Sequence, residues 1–543
     1  MAAQATANIL AADRFFVVAL VILVTWAVIF IYRTVFWFDG VPYFSLFDDE
    51  MLSMRYALHL VEGQGLVWNA GEPVEGYTNP LWTVYMAGTI ALFGKHIAPL
   101  AIQITGMGLM MATIAMAASA AREAWLVDGR SKISPRTLSF GAALMLMATF
   151  YPLQYWSLTG MEVSLLSALA AGAALVLVRI ETGRLAGVRG LVLMLAAVPV
   201  AYFARPDGFI VLMPLLAVCA VHALRQAPQR AIVVGIAGSV AIVAMVWAHF
   251  AWRLHFYGVL LPNTYTLKMD GYSWSLRLSN GLGFLARFFA YYGVAIFVAA
   301  LLFSLFAQRR LMGAAFLASF ALSVVYQIYV GGDPWVYWRQ LVPGLVLLYT
   351  GLAINLAEAL ARLPDGRRSV PFIQSLCGVF VLCAVTNATF VKQIVGYTWV
   401  YQADAAKTNI ATALALREVL QPTATIMSFW AGTLPYYWEG KAIDPLGKAD
   451  SRISRLPIDL SVAWGGMKGV PGHAKHDFNF SIVEAKPEYV QTAWNPDQLV
   501  GPLTGRYVAA RYKGLSLCLR KESPLVRWQL VEITGACIAG RTS

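Results

Sequence analysis

Apolar runs of about 17 to 25 residues recur along the first 390 positions, each long enough to cross roughly 30 Å of hydrocarbon as a helix. Lipid offers the backbone no hydrogen-bond partner, so such runs must close their own bonds. A soluble domain of this size would carry about 25% charged residues, whereas here 13% are charged and 59% are hydrophobic. The chain therefore reads as a polytopic α-helical membrane protein. About eleven spans are expected, near 15–37, 97–121, 138–156, 161–179, 187–204, 208–224, 231–252, 283–306, 311–330, 340–360 and 370–390. The first is too long for a signal-peptide core and is kept as a span.

The segment 79–94, "NPLWTVYMAGTIALFG", has an apolar part of only about 14 residues, which suits an interfacial or re-entrant helix. Charge parity tests that reading. If the segment does not cross, one set of alternate loops holds Arg122, Arg130, Lys132, Arg136, Arg179, Arg184, Arg189, Arg225, Arg230, Arg309, Arg310, Arg362, Arg367 and Arg368. The opposite loops are longer and hold few bases. The positive-inside rule places the first set and the N-terminus in the cytoplasm. The net charge of +12 is accounted for by these loops and does not call for nucleic acid. On this parity, every unusual polar cluster faces outward: the first loop (38–96), "WSLTGME", "ARPDG", "LHFYGVLLPNTYTLK" and "GGDPWVYWRQ".

A transmembrane domain over 1–392 is then followed by an extracytoplasmic domain over 393–543. Within the tail, "TNIATALALREVL" reads as an amphipathic helix, and "TATIMSFWAGTLPYYW" and "RYVAARYKGLSLCLRK" read as strands, giving an α/β domain. Cys219, Cys377 and Cys383 fall in apolar runs and read as small core residues. Cys518 and Cys537 form a bridge if the tail faces an oxidising compartment.

The first loop opens on three consecutive acids, Asp48, Asp49 and Glu50. As a helix from Asp48 to Glu62, it carries an apolar stripe at Met51, Met54, Leu58 and Val61, and a polar stripe at Asp48, Arg55, His59 and Glu62. That pattern predicts a helix lying along the membrane surface. Acids in a first turn also suit the positive end of the helix dipole, which is their bland explanation. Crowding argues for more, because "EPVEGYTNPLW" puts Glu75, Tyr77 and Asn79 close behind.

The block "DDEMLSMRYALHLVEGQGLVWNAGEPVEGYTNPLWT" resembles the first external loop of membrane glycosyltransferases of the GT-C class. It is most similar to the mycobacterial terminal (β-1,2) arabinofuranosyltransferases of cell-wall arabinan and their proteobacterial relatives. Six further blocks resemble that group in the same order: "WSLTGMEVSLL", "ARPDG", "YGVLLPNTYTLK", "GGDPWVYWRQLVPG", "AGTLPYYWEGKAIDPLGKAD" and "PGHAK". The resemblance implies a GT-C-like fold in the bacterial cytoplasmic membrane. It also implies an inverting glycosyltransferase that takes a sugar, such as arabinofuranose, from a polyprenyl-phosphate donor to a cell-envelope glycan acceptor.

In that light Asp48 and Asp49 are the catalytic candidates, one of them as general base for the acceptor hydroxyl. A divalent cation (Mg or Mn) held by the same pair is the open cofactor question. Arg205, Lys268 and Arg339 stand at expected span ends as candidates for the donor phosphate. Snorkelling is the alternative for each, and the favoured reading for Arg253. Arg55, Glu75, Tyr77, Asn79, Trp82, Glu162, Asp333, Trp335, Asp444, His473 and Lys475 are candidates for sugar or acceptor contact. A helix N-terminus for the acids, a turn hydrogen bond for Glu162 and the interfacial belt for the aromatics are the competing structural roles. The competing functional classes are a transporter or flippase of lipid-linked glycans, which predicts mid-span charges and repeated halves, and an inactive scaffold.

Overall fold

The structure is a computed structural model describing residues 2–125, 134–305, 310–492 and 496–537. Arg130, Lys132 and Arg309, counted above among the basic loops, lie outside the described residues. Among the described residues nine helices are long and apolar enough to cross a membrane, and Val17–Tyr32 adds a shorter apolar helix. With a mixed α/β region in the C-terminal part, this is the polytopic architecture the apolar runs require.

Three expected elements differ, each for a local reason. The first helix ends at Tyr32, and Val35–Phe38 pairs antiparallel with Val41–Phe44 as a hairpin. Its two-residue turn is Asp39–Gly40, both at positive φ, the Asp-Gly signature of such turns. The expected span 138–156 is two helices, Pro135–Ala148 and Tyr151–Leu158. Pro152 cannot donate to a continuous ladder but suits the opening turn of a new helix. The stretch "TLPYYW", read as strand, is the helix Thr433–Trp438. Cys377 is exposed rather than in a core, on the apolar helix Ser369–Asn387.

The chain divides into two compact units. The first comprises Met1–Tyr32, Gln103–His249 and Leu278–Thr398. Its hub is Val342–Ala361, buried along nearly its whole length, which packs against Pro135–Ala148 and Val163–Glu181. By contrast, 228–249 bares Ile232, Val233, Ile236, Val240 and Val243, a helix surface suited to lipid.

The second unit joins Arg33–Ile102 and Phe250–Arg277 to Trp399–Ser543. The tail and the first loop thus fall in one unit. Its six-stranded sheet runs, in spatial order, Glu532–Ala536, Tyr507–Tyr512, Leu515–Arg520, Tyr489–Val490, Ile426–Met427 and Ala442–Ile443. The first four are antiparallel neighbours and the last three parallel ones. Cys518 and Cys537 form a disulfide at its edge. The helix Pro80–Glu123 breaks at Gly94, whose φ of 75° and ψ of 160° no helical residue adopts. The break separates a short segment from a longer one, as the length of 79–94 required. On the short segment Leu81, Val84, Tyr85, Leu92 and Phe93 stay exposed.

Candidate active site

The helix Asp48–Val61 starts directly on the acidic triplet. Successive helical residues point about 100° apart, so the three acids face three directions and find three different partners. Asp48 accepts the backbone N–H of Thr433 at 2.8 Å and of Gly432 at 3.2 Å, closing the start of Thr433–Trp438. Asp49 forms an ion pair with Lys448, both side chains less than one-fifth exposed. Glu50 is buried, and its two carboxylate oxygens accept from the Asn79 amide nitrogen at 3.1 and 3.2 Å. Asn79 in turn accepts from Ser53 at 2.9 Å and Thr83 at 3.0 Å.

The contact at Gly432 is a backbone-on-backbone approach. A Cβ at that position would stand 1.9 Å from the Asp48 carbonyl oxygen and 2.8 Å from the Leu52 nitrogen. Gly432→Ala should therefore destabilise the protein by about 2 kcal/mol or more and loosen the Asp48 cap. A thermal melt in detergent checks it, and an unchanged midpoint would show that the two segments separate freely.

The helix does not present a solvated polar stripe. Residues 50–59 are all buried, Arg55 and His59 included. Arg55 is a staple: it donates to the carbonyls of Trp68 at 2.6 Å and Gly440 at 2.8 Å, to Asn69 Oδ1 at 3.2 Å, and to the carbonyl of Pro435. Its guanidinium lies over the Trp68 ring, and burial pulls its pKa down to about 10. Its donors are engaged by these carbonyls and by Asn69. The tail covers this helix, so sequence periodicity could not reveal that its polar face is buried.

Glu75 and Arg253 are both buried and form a two-point pair, 2.6 Å from Nε to Oε2 and 2.9 Å from an amino nitrogen to Oε1. Arg253 thus does not snorkel. Tyr77 shares a 3.1 Å hydroxyl contact with Tyr257 and meets Tyr56 edge-on. Trp82 is buried beside Tyr85.

Further along, Asp444 is buried and accepts the N–H groups of Leu446 at 3.0 Å and Ala449 at 2.8 Å, folding the "DPLGKAD" turn. Burial pushes its pKa up against those bonds. His473 is buried, with Nδ1 3.3 Å from the Pro471 carbonyl. Burial first, and the Lys448 charge second, pull its pKa down to about 3, so the imidazole is neutral. Lys475 donates to the carbonyls of Ser454 at 2.6 Å and Thr266 at 3.1 Å. Asp444 and Lys475 therefore tie turns together. Lys268 packs its stem 3.2 Å from where a Cβ on Gly472 would stand, next to His473.

The other candidates belong to the first unit. Arg205 pairs with Asp207 at 2.7 Å and Glu162 at 3.1 Å. Arg339 pairs with Asp333 at 2.6 Å and lies over the Trp156 ring. Both guanidiniums line one pocket with Asp207, Tyr326, Gln327 and Gln340. The Asp333 carboxylate also accepts the Trp335 N–H at 3.2 Å. Just before Arg339, Tyr337 and Trp338 hold φ of 63° and 45°, strained for side chains of that size. The structure thus brings Arg205 and Arg339 together in one unit and puts Lys268 in the other.

Lys448, Gly432 and Glu50 carry the geometry of the acidic triplet and were not among the candidates. Lys448 and Gly432 lay inside the block "AGTLPYYWEGKAIDPLGKAD", but nothing in that stretch says which distant residue each one meets.

Comparison with solved structures bears on the fold. ArnT from Cupriavidus metallidurans in the apo state is similar over 94% of this chain and 98% of its own, with 14% identity and a TM-score of 0.55. The same enzyme bound to undecaprenyl phosphate gives 95%, 98%, 14% and 0.55. An Archaeoglobus fulgidus oligosaccharyltransferase, tethered with an acceptor peptide by a disulfide bond, gives 96%, 75%, 12% and 0.50. The fold is GT-C-like. At these identities the likeness reaches the fold alone. Residues 396–533 match the model of a domain of unknown function, DUF8728. No curated protein matches the chain.

Proposed function

We propose that this protein is an inverting glycosyltransferase that moves a sugar from a polyprenyl-phosphate donor to a glycan acceptor, with Asp49 as the general base. The observation that carries the assignment is the division of labour in the acidic pair. Asp48 is committed to two backbone N–H groups, while Asp49 forms an ion pair with the Lys448 ammonium. In the reaction Asp49 takes the proton of the acceptor hydroxyl as its oxygen bonds to the anomeric carbon. The bond from that carbon to the phosphate oxygen breaks on the opposite face, and polyprenyl phosphate leaves with the electron pair. A base so placed contributes about 10²–10⁴-fold.

The donor class draws support from the fold shared with ArnT, which binds undecaprenyl phosphate. The side of the membrane draws support from the Cys518–Cys537 disulfide, which belongs to an oxidising compartment. Together with the basic loops it favours a bacterial inner-membrane protein with cytoplasmic N-terminus and extracytoplasmic C-terminal domain. The resemblance of the first loop favours a pentofuranose such as arabinofuranose and a cell-envelope acceptor. A divalent cation fits the acidic pair poorly: Asp48 holds N–H donors, Asp49 holds an ammonium, and no three His, Cys, Asp or Glu gather as ligands among the described residues.

Purified protein incubated with a polyprenyl-phosphate pentose and an arabinan acceptor should yield an extended glycan and free polyprenyl phosphate. Movement of intact donor across vesicles without product would favour the flippase class instead.

A further inference from the structure

Lys448 is held at its base by the main chain and meets Asp49 through its tip. Asn263 Nδ2 donates to the carbonyls of Gly447, Lys448 and Asp450 at 2.8, 3.0 and 3.1 Å. The Asp444 carboxylate ties the same turn from inside. Gly76 lies so close that a Cβ there would come within 2.9 Å of the Lys448 carbonyl. The main chain is fixed, and only the four-carbon stem is left to swing, which suits a lysine far better than the planar fork of an arginine.

The ammonium already holds an anion, the Asp49 carboxylate. The charges of Asp49, Asp48 and Asp444 raise the lysine's affinity for a proton against the pull of burial. The charges of Lys448, Asp49 and Lys268 also bear on the His473 imidazole. Of these acids Asp49 is the one in ion-pair contact with the ammonium, and it comes from the protein itself.

We propose that Asp49 is an internal stand-in for the donor's phosphate. When the phosphate of a lipid-linked sugar arrives, Lys448 exchanges Asp49 for it, and the released carboxylate becomes competent as base. Donor capture and base release are then one event. This rests on the glycosyltransferase reading and adds to it a binding residue and an order of steps.

Competition between two anions for one cation has a signature that a merely structural salt bridge lacks. Binding of decaprenyl phosphate to purified protein in detergent is measured for wild type, Lys448→Met, Asp49→Asn and the double variant, with decaprenol as control. Lys448→Met should weaken binding about tenfold or more. Asp49→Asn should tighten it about two- to fivefold, the worth of a partly exposed ion pair removed from the competition. In the Lys448→Met background the same change should tighten nothing. Asp49→Ser, which removes the charge by a different side chain, is read in parallel and guards against misfolding of either variant. Unchanged or weaker binding in both charge-removing variants, with wild type binding well, would overturn the exchange and leave the donor class standing. Wild type that binds decaprenyl phosphate no better than decaprenol would overturn both.

Discussion

Asp49→Asn should insert, fold and bind its lipid, yet transfer sugar about 10²–10⁴-fold more slowly than wild type. The substitution keeps size and shape and removes only the ability to accept a proton. Asp48→Asn should behave differently, with its first effect on stability. Asp48 serves two N–H donors at the start of Thr433–Trp438, and an amide offers one oxygen where the carboxylate offers two. The donor left facing an NH₂ group costs about 1–3 kcal/mol. Burial, opposed chiefly by the Thr433 N–H bond, pushes the Asp48 pKa up. That direction fits a carboxyl placed for structure beside an ionised neighbour.

Initial rates and thermal midpoints, measured on the same detergent preparations, separate the two roles. A dead Asp48→Asn with an unshifted midpoint, beside an active Asp49→Asn, would exchange the assignments. Full activity in both would remove the acidic pair from the chemistry.

The contrast between the two aspartates marks where the sequence stops being legible. Apolar length alone was enough to indicate a polytopic membrane fold, because hydrocarbon thickness leaves the backbone few choices. The start of the helix at Asp48 and the break near 94 were equally local, set by a run of acids and a glycine. What could not be read was every partner separated by hundreds of residues. Asp49 and Lys448 stand 399 positions apart, Arg55 and Pro435 380, and Glu75 and Arg253 178. Periodicity put Arg55 and His59 on the polar stripe of a surface helix because it knows nothing of a tail that returns to cover them. It likewise assigned "TLPYYW" to strand, since aromatic content favours strands and the cap that makes it a helix is the distant Asp48. Even the hairpin turn at Asp39–Gly40, a short-range signal, was masked by the apolar run leading into it.

Replacing Glu75 by alanine should cost about 3–5 kcal/mol, the price of a buried charge left alone. Arg253 is 2% exposed and Glu75 1%, so water cannot take the place of either partner. Arg253→Met should cost a similar amount, and the two changes together should cost less than their sum. The loss should also reach the chemistry along a traceable route. The Glu75 carbonyl accepts the Asn263 N–H at 2.9 Å, and the Asn263 amide fixes the turn that carries Lys448. Loosening Glu75 therefore loosens the cation paired with Asp49. Thermal midpoints of the single and double variants, read beside their transfer rates, check both links. If the double variant regains stability without regaining rate, the pair acts on catalysis through the position of this turn as well as through the fold.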